Sequence, residues 1–379
     1  MGAVKRLLAF ILAASACLGT AALAADGAPA VSAPHAVPME EATGCVVFEK
    51  DADARVPPAS VTKVMTILLI VEALERDELS LDDTVTASAN AESMGGSQIY
   101  LEAGEAMSVR DMLKSIVVAS ANDAAVAIAE HIYGTEADFV ERMNARAAEL
   151  GLQNTHFTNC TGLFEDSSHY TSARDVAVMA REVMSHEMVK DYTTIWMDSV
   201  RNGEFGLSNT NKLVHSYSGC TGLKTGYTSA AGHCLAATAE RGGTEFIAVV
   251  MGCESSDSRF ADAAALLDYG FSAYELVRLL PDKAIPPVRV LVGEKGSVQP
   301  VPGGEQYMLL HKTEAGNLSY EIELPEEVTA PVAEGQELGR VRVLLDGAEA
   351  AQLSLVSPEA VPRKGPVSIF LDLLDQLFG

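Results

Sequence analysis

The chain has 379 residues, 48% of them apolar and 21% charged, with a formal net charge of −25 at pH 7. That much apolar material fills two or three packed domains at roughly 100–200 residues each, which excludes a disordered chain. The acidic excess repels polyanions and excludes nucleic acid as a partner, because phosphate binding needs clustered Lys and Arg.

At the N-terminus, Lys5 and Arg6 precede an apolar run from Leu7 to Leu18 and then Ala22-Leu23-Ala24, the charged, apolar, small-residue order of a secretory signal. The run is shorter than the ~20 residues of a membrane span, so residues 1–24 are read as a cleaved signal peptide and the protein as exported. Cys17 could carry a lipid, but Ala14 stands where a lipoprotein signal usually has Leu. Losing Lys5 and Arg6 takes the formal charge from −25 to −27 and leaves Cys45, Cys160, Cys220, Cys234 and Cys253. An odd count without a C-x-x-C pair argues against a disulfide scaffold or a zinc ribbon, so these are read as mostly buried small apolar residues.

Gly27 to Pro38 is rich in Ala and Pro, and residues 25–42 read as a linker. Gly44 to Glu49 reads as a buried strand and Asp51 to Pro58 as turns. From Ser60 to Leu74 the chain is apolar on nearly every side, which predicts a helix of about four turns inside a domain. Further helices are predicted at Val109–Ala119, Asp123–Ile132, Ala137–Leu150 and Ser172–Met184. His186-Glu187-Met188-Val189-Lys190 starts like a zinc-protease helix, but Lys190 stands where that motif needs His. No metal or other cofactor is expected. Gly222–Tyr227, His233–Ala239 and Glu245–Met251, separated by turn residues, predict an antiparallel meander, and Arg259–Phe271 an amphipathic helix. The sum is an α+β domain over residues 43–279, an antiparallel sheet packed with helices. Pro281 and Pro286-Pro287 mark a boundary. Alternating runs at Val288–Val292, Gln306–His311, Leu318–Leu324 and Val341–Leu345 then predict a small all-β domain over 280–357.

The sharpest chemical feature is Ser60-Val61-Thr62-Lys63 at the start of the buried helix. Positions i and i+3 share a helix face, so hydroxyl and amine can meet. A desolvated lysine loses basicity until it can deprotonate a serine near neutral pH, and the helix N-terminus favours the developing oxyanion. On its own the segment is also compatible with Ser60 as a helix cap and Lys63 reaching solvent. Ser120-Ala121-Asn122 lies between two predicted helices, where short polar side chains can enter a cleft. Lys224-Thr225-Gly226 lies on the first meander strand, where Lys offers a cation and Gly admits a ligand's backbone.

In this order the three segments resemble the penicillin-recognising serine acyl-transferases. More closely, Pro57-Pro58-Ala59-Ser60-Val61-Thr62-Lys63, Ala119-Ser120-Ala121-Asn122-Asp123-Ala124-Ala125 and Thr221-Gly222-Leu223-Lys224-Thr225-Gly226-Tyr227-Thr228 look like the D-alanyl-D-alanine carboxypeptidase branch. His169-Tyr170-Thr171-Ser172-Ala173-Arg174-Asp175 also fits that branch, and the trailing β domain is one it carries. The resemblance implies a β-lactamase/transpeptidase-like fold, peptidoglycan peptide stems as substrate and β-lactam antibiotics as inhibitors. It implies Ser60 as nucleophile, Lys63 as base and Ser120 as proton relay. Asn122 would hold the substrate's peptide amide, and Lys224 and Thr225 with Arg259 would bind its terminal carboxylate. Gly226 lies in the same strand, and the amides of Ser60 and Tyr227 would form the oxyanion hole. Arg259 also reads as an ordinary helix-surface arginine. Ala121 departs from a position where relatives often have Gly, which is tolerable at negative φ.

Residues 358–379 read as an amphipathic tail, with a polar stripe at Ser368, Asp372, Asp375 and Gln376. Such a helix either lies in a membrane interface or docks on its own β domain; the resemblance favours anchoring on the outer face of the cytoplasmic membrane. Three rivals remain. A β-lactamase would need an extra carboxylate, for which Glu165 and Asp166 are candidates. The others are an endopeptidase of the same fold and a catalytically silent wall-binding or β-lactam-sensing protein.

Overall fold

The computed structural model describes residues 28–163, 166–304, 306–368 and 370. The expected signal peptide, Glu165 and residues 369 and 371–379 of the expected tail lie outside them. The chain divides into two compact units, with the break between Tyr274 and Glu275 rather than after residue 279.

The first unit is built on a four-stranded antiparallel sheet of β1 (His35–Glu40), β2 (Cys220–Thr228), β3 (Gly232–Arg241) and β4 (Thr244–Cys253), in the order β1-β4-β3-β2. β4 is buried from Glu245 to Met251 because both faces of the sheet are covered. Ile247, Val249 and Met251 join the main core, while Phe246 on the opposite face meets Gly270 and Phe271 of the last helix. The long helices are α1 (Lys63–Glu75), α2 (Val109–Val118), α3 (Asn122–Tyr133), α4 (Glu136–Glu149), α5 (Ala173–Met184) and α6 (Ser256–Ala273). Ser108, Thr135 and Ser172 cap α2, α4 and α5 by accepting the amide of the third helical residue, and Ser255 and Ser258 form a reciprocal box on α6. α1 is buried from Lys63 to Ala73, the continuous apolar run placing it at the centre of the unit.

Two N-terminal expectations are corrected. His35–Glu40, assigned to a linker, is the edge strand β1, paired from His35↔Met251 to Glu40↔Phe246. Pro38 fits there because an edge strand has an amide to spare. Gly44–Glu49 forms no strand; the chain instead wraps the buried Glu40 carboxylate, which accepts hydrogen bonds from the amides of Ala42 and Thr43. Met39↔Val46 and Ala36↔Lys50 are isolated bridges.

The second unit is all-β. Tyr274–Arg278 pairs with Tyr307–His311, and Val288–Leu291 lies between Ser297–Val298 and Glu327–Thr329. A four-stranded sheet joins Val301–Pro302, Ala348–Val356, Glu337–Leu345 and Leu318–Glu323. Val288, Val290, Val332 and Val361 share one core. Residues 358–363, assigned to the tail, therefore belong to the β unit, with Val361 bridged to Val332 and Arg363 to Gly293. Beyond them Val367 and Phe370 are exposed. Among the described residues, no helix is long and apolar enough to cross a membrane.

Candidate active site

Ser60 lies in a 3-10 turn, Ala59–Thr62, that runs straight into α1. Ala59 sits at φ +48°, a left-handed conformation rare for a residue with a Cβ. One turn on, Lys63 is fully buried, and its Nζ lies 3.1 Å from Ser60 Oγ, 2.5 Å from Asn122 Oδ1 and 2.9 Å from Thr161 O. Burial lowers its pKa from 10.5 to about 7, against the opposing influence of Cys160 and Asp123. A neutral amine has two hydrogens and one lone pair. With the hydrogens on Asn122 Oδ1 and Thr161 O, neither of which can donate back, the lone pair is left for the Ser60 proton.

Ser120 and Asn122 come from the sharp link between α2 and α3. Ser120 is at φ +63°, and Ala121 at φ −59° carries its methyl without strain. The buried Lys224 Nζ donates to Ser120 Oγ (2.8 Å) and to Thr225 O (3.0 Å). Burial, then the neighbouring Lys63 and Arg259 charges, hold its pKa well below the usual lysine range. Asn122 is 2% exposed, and besides accepting from Lys63 its amide nitrogen donates to Gly95 O at 2.8 Å. Its first task in the folded chain is thus to orient the amine. Asp123 accepts from the amides of Ile99, Leu101 and Ala124, tying residues 99–101 to the start of α3.

β2 is the free edge of the sheet and brings up Lys224, Thr225, Gly226 and Tyr227. Glycine at 226 admits a different neighbour from the expected ligand backbone. A Cβ there would lie 3.0 Å from Pro58 O and Val61 N and 3.1 Å from Ala59 Cβ, so the bare strand accommodates the turn that carries Ser60. Thr225 donates its hydroxyl to Thr210 Oγ1 at 2.7 Å. Tyr227 is exposed and stacks on His233, ring centroids 4.4 Å apart. Arg259, near the start of α6, is 8% exposed rather than a surface residue, and its Nη1 donates to Gly226 O at 3.0 Å.

The fold thus brings Ser60, Lys63 and Asn122 into one contact chain, Lys224 and Ser120 into a second, and Arg259 onto the strand of Lys224. Sequence reading missed the partners that hold them. Thr161 supplies a backbone carbonyl, and its turn is organised by Asn159 Oδ1, which accepts the amides of Thr161 and Gly162. Asn159-Cys160-Thr161-Gly162 is the kind of Asn…Gly turn that could have pointed to this loop. A cavity of about 220 Å³ beside the turn is lined by Pro58, Ala59, Gly162, Asp166, His169 and Thr228. The Asp166 carboxylate there accepts from the amide and hydroxyl of Ser168. All five described cysteines are free thiols; Cys160, Cys234 and Cys253 are buried, and burial pushes Cys253 up to about 12.

The family profile described as D-alanyl-D-alanine carboxypeptidase matches residues 22–255, and that of the penicillin-binding protein 5 C-terminal domain matches residues 274–363. The D-alanyl-D-alanine carboxypeptidase DacF of Bacillus subtilis is 41% identical over 352 residues, which is 92% of this chain and 89% of the relative. The crystal structure of penicillin binding protein 5 from Haemophilus influenzae superposes with a TM-score of 0.77 at 31% identity, covering 88% of this chain and 99% of that one. Penicillin-binding protein D2 from Listeria monocytogenes in its ampicillin-bound form gives a TM-score of 0.59 at 33% identity, covering 64% and 98%.

Proposed function

Because the chain belongs to the D-alanyl-D-alanine carboxypeptidase family, we propose that it removes the terminal D-alanine from peptidoglycan pentapeptide stems through an acyl-enzyme on Ser60. It is a penicillin-binding enzyme that works outside the cytoplasm and is inhibited by β-lactams. The observation that carries the role of each residue is the fully buried Lys63 amine, 3.1 Å from Ser60 Oγ with both hydrogens already committed.

The stem lies along the free edge of β2 as an added strand. Lys224 and Thr225, with the charge of Arg259, hold the terminal carboxylate, which lets an acidic protein grip an anion. Ser60 Oγ attacks the carbonyl between the two D-alanines while its proton passes to Lys63. The amides of Ser60 and Tyr227 receive the oxyanion, and Asn122 keeps its second amide hydrogen for the acyl chain. Ser120, bonded to Lys224, relays the proton taken up by Lys63 to the leaving amine, so that free D-alanine departs, Lys63 is neutral again and Ser60 remains acylated. Water, deprotonated by Lys63, then attacks the ester; Lys63 returns that proton to Ser60 Oγ as the shortened stem leaves.

D-alanine release from a pentapeptide, compared between wild type and Ser60→Ala, tests this: steady release by the first and none by the second is expected. Binding of wall fragments without release would make the protein a silent binder. A penicillin adduct with a lifetime of minutes or longer is expected, whereas rapid turnover to penicilloate would make it a β-lactamase. Cleavage of crosslinked muropeptides in preference to pentapeptides would make it an endopeptidase. We further propose that the tail rests on the membrane surface. The full chain should sediment with zwitterionic vesicles and a truncation after Gly365 should not; equal sedimentation refutes the anchor.

A further inference from the structure

His169 belongs to a segment that resembles the family yet has no part in the steps above. It is 4% exposed and packs edge-on against Phe157, ring centroids 5.8 Å apart. Its two nitrogens have different partners. The Thr158 amide donates to Nδ1 at 3.0 Å, so Nδ1 must carry a lone pair and the ring proton sits on Nε2. Nε2 lies 2.8 Å from Thr62 Oγ1 and therefore donates to it. Thr62, itself fully buried, passes its own hydrogen to Ala59 O, also at 2.8 Å. The tautomer thus gives the whole chain one direction, from imidazole to hydroxyl to carbonyl.

The carbonyl of Ala59 and the amide hydrogen of Ser60 are the two ends of one planar peptide. Fixing the oxygen fixes the direction of the N–H. Hydrogen bonds in series also polarise one another, so a carbonyl that accepts makes its amide a stronger donor. Ala59 needs such a hold, because a left-handed φ of +48° is unfavourable for a residue with a side chain. The other side of the peptide is blocked as well: a Cβ on Gly162 would lie 1.8 Å from Ala59 O and 2.5 Å from Thr62 Oγ1. Only a bare backbone fits against this carbonyl.

We infer that His169 and Thr62 are positioning residues for the oxyanion hole, a relay that aims and polarises the Ser60 amide through the carbonyl of Ala59. The inference rests on the reading of Ser60 as the acylated nucleophile. It assigns the His169 segment a task in catalysis that involves no contact with substrate and no proton transfer.

The test measures acylation by fluorescent penicillin per titrated active site, so that loss of folded protein does not enter the rate. Thr62→Val keeps the shape and removes the hydroxyl; its acylation rate constant should fall about 10- to 100-fold, somewhat less than removal of an oxyanion donor. Thr62→Ser should stay near wild type, and Thr62→Val combined with His169→Leu should be no slower than Thr62→Val alone, because both break one chain. An ester substrate and its thiono analogue give the signature of the hole. Sulfur accepts amide hydrogen bonds poorly, so the wild-type preference for oxygen should shrink in Thr62→Val while KM stays within about threefold. Should Thr62→Val fail to fold, His169→Gln, which can still donate to Thr62, against His169→Leu carries the same comparison. Acylation of Thr62→Val at the wild-type rate with an unchanged oxygen preference, or equal losses in Thr62→Ser and Thr62→Val, would overturn the relay. No adduct on Ser60 in the wild type would overturn the reading of the site itself.

Discussion

Lowering the pH should silence acylation through a single group, Lys63. With a pKa of 10.5, about one amine in three thousand would be neutral at pH 7; at about 7, roughly half are. Only the neutral amine can take the Ser60 proton, so kcat/KM for D-alanine release, which reports groups of the free enzyme, should rise tenfold per pH unit up to a limb between pH 6 and 8. Between pH 7 and pH 5 the neutral fraction drops about fiftyfold, and the rate with it. His169, which burial lowers to about 4, is not charged in this range and cannot supply the limb. A stopped assay from pH 5 to 9 on wild type and Lys63→Arg decides the matter. The arginine variant should be inactive throughout, because guanidinium does not deprotonate. A flat wild-type profile down to pH 5, or measurable acylation by Lys63→Arg, would refute the argument.

Three other outcomes follow from the geometry. Gly226→Ala should push the Ser60 turn away by a few tenths of an ångström, since the added Cβ meets Pro58 O and Val61 N at 3.0 Å; acylation should fall about 10- to 100-fold with a stability loss of about 1–3 kcal/mol, read by penicillin labelling and thermal unfolding. Thr210→Val removes the acceptor of the Thr225 hydroxyl and should raise KM several-fold for substrates ending in a free carboxylate, with kcat changed less. Lys63→Met should be more stable than wild type at pH 6 and lose that advantage toward pH 10. The folded pKa of Lys63 lies below the unfolded one, so between about 7 and 10.5 the unfolded chain holds the extra proton and wild-type stability rises with pH. Melting temperatures at the two pH values check the sign.

What the sequence made legible was chemistry carried on regular elements. Ser60 and Lys63 announced themselves because a helix puts i and i+3 together, and Lys224 because its strand is followed by two more with turns between. The buried run of α1 and the alternating runs after Val288 fixed the two classes of core. Contacts between distant segments were not legible. Thr161 acts through a backbone carbonyl, which every residue has, and Thr210 meets Thr225 only after the chain turns back. Gly226 carries no mark of the turn that crowds it. β1 was hidden because Ala and Pro describe a linker and an edge strand equally well.

The account stands on one hydroxyl being the group that is acylated. Intact-mass analysis of the protein after incubation with benzylpenicillin, followed by peptide mapping, measures that directly. One adduct per chain, confined to the peptide containing Ser60 and missing from Ser60→Ala, is the predicted result. An adduct on any other residue, or an equal mass increase in Ser60→Ala, would contradict it.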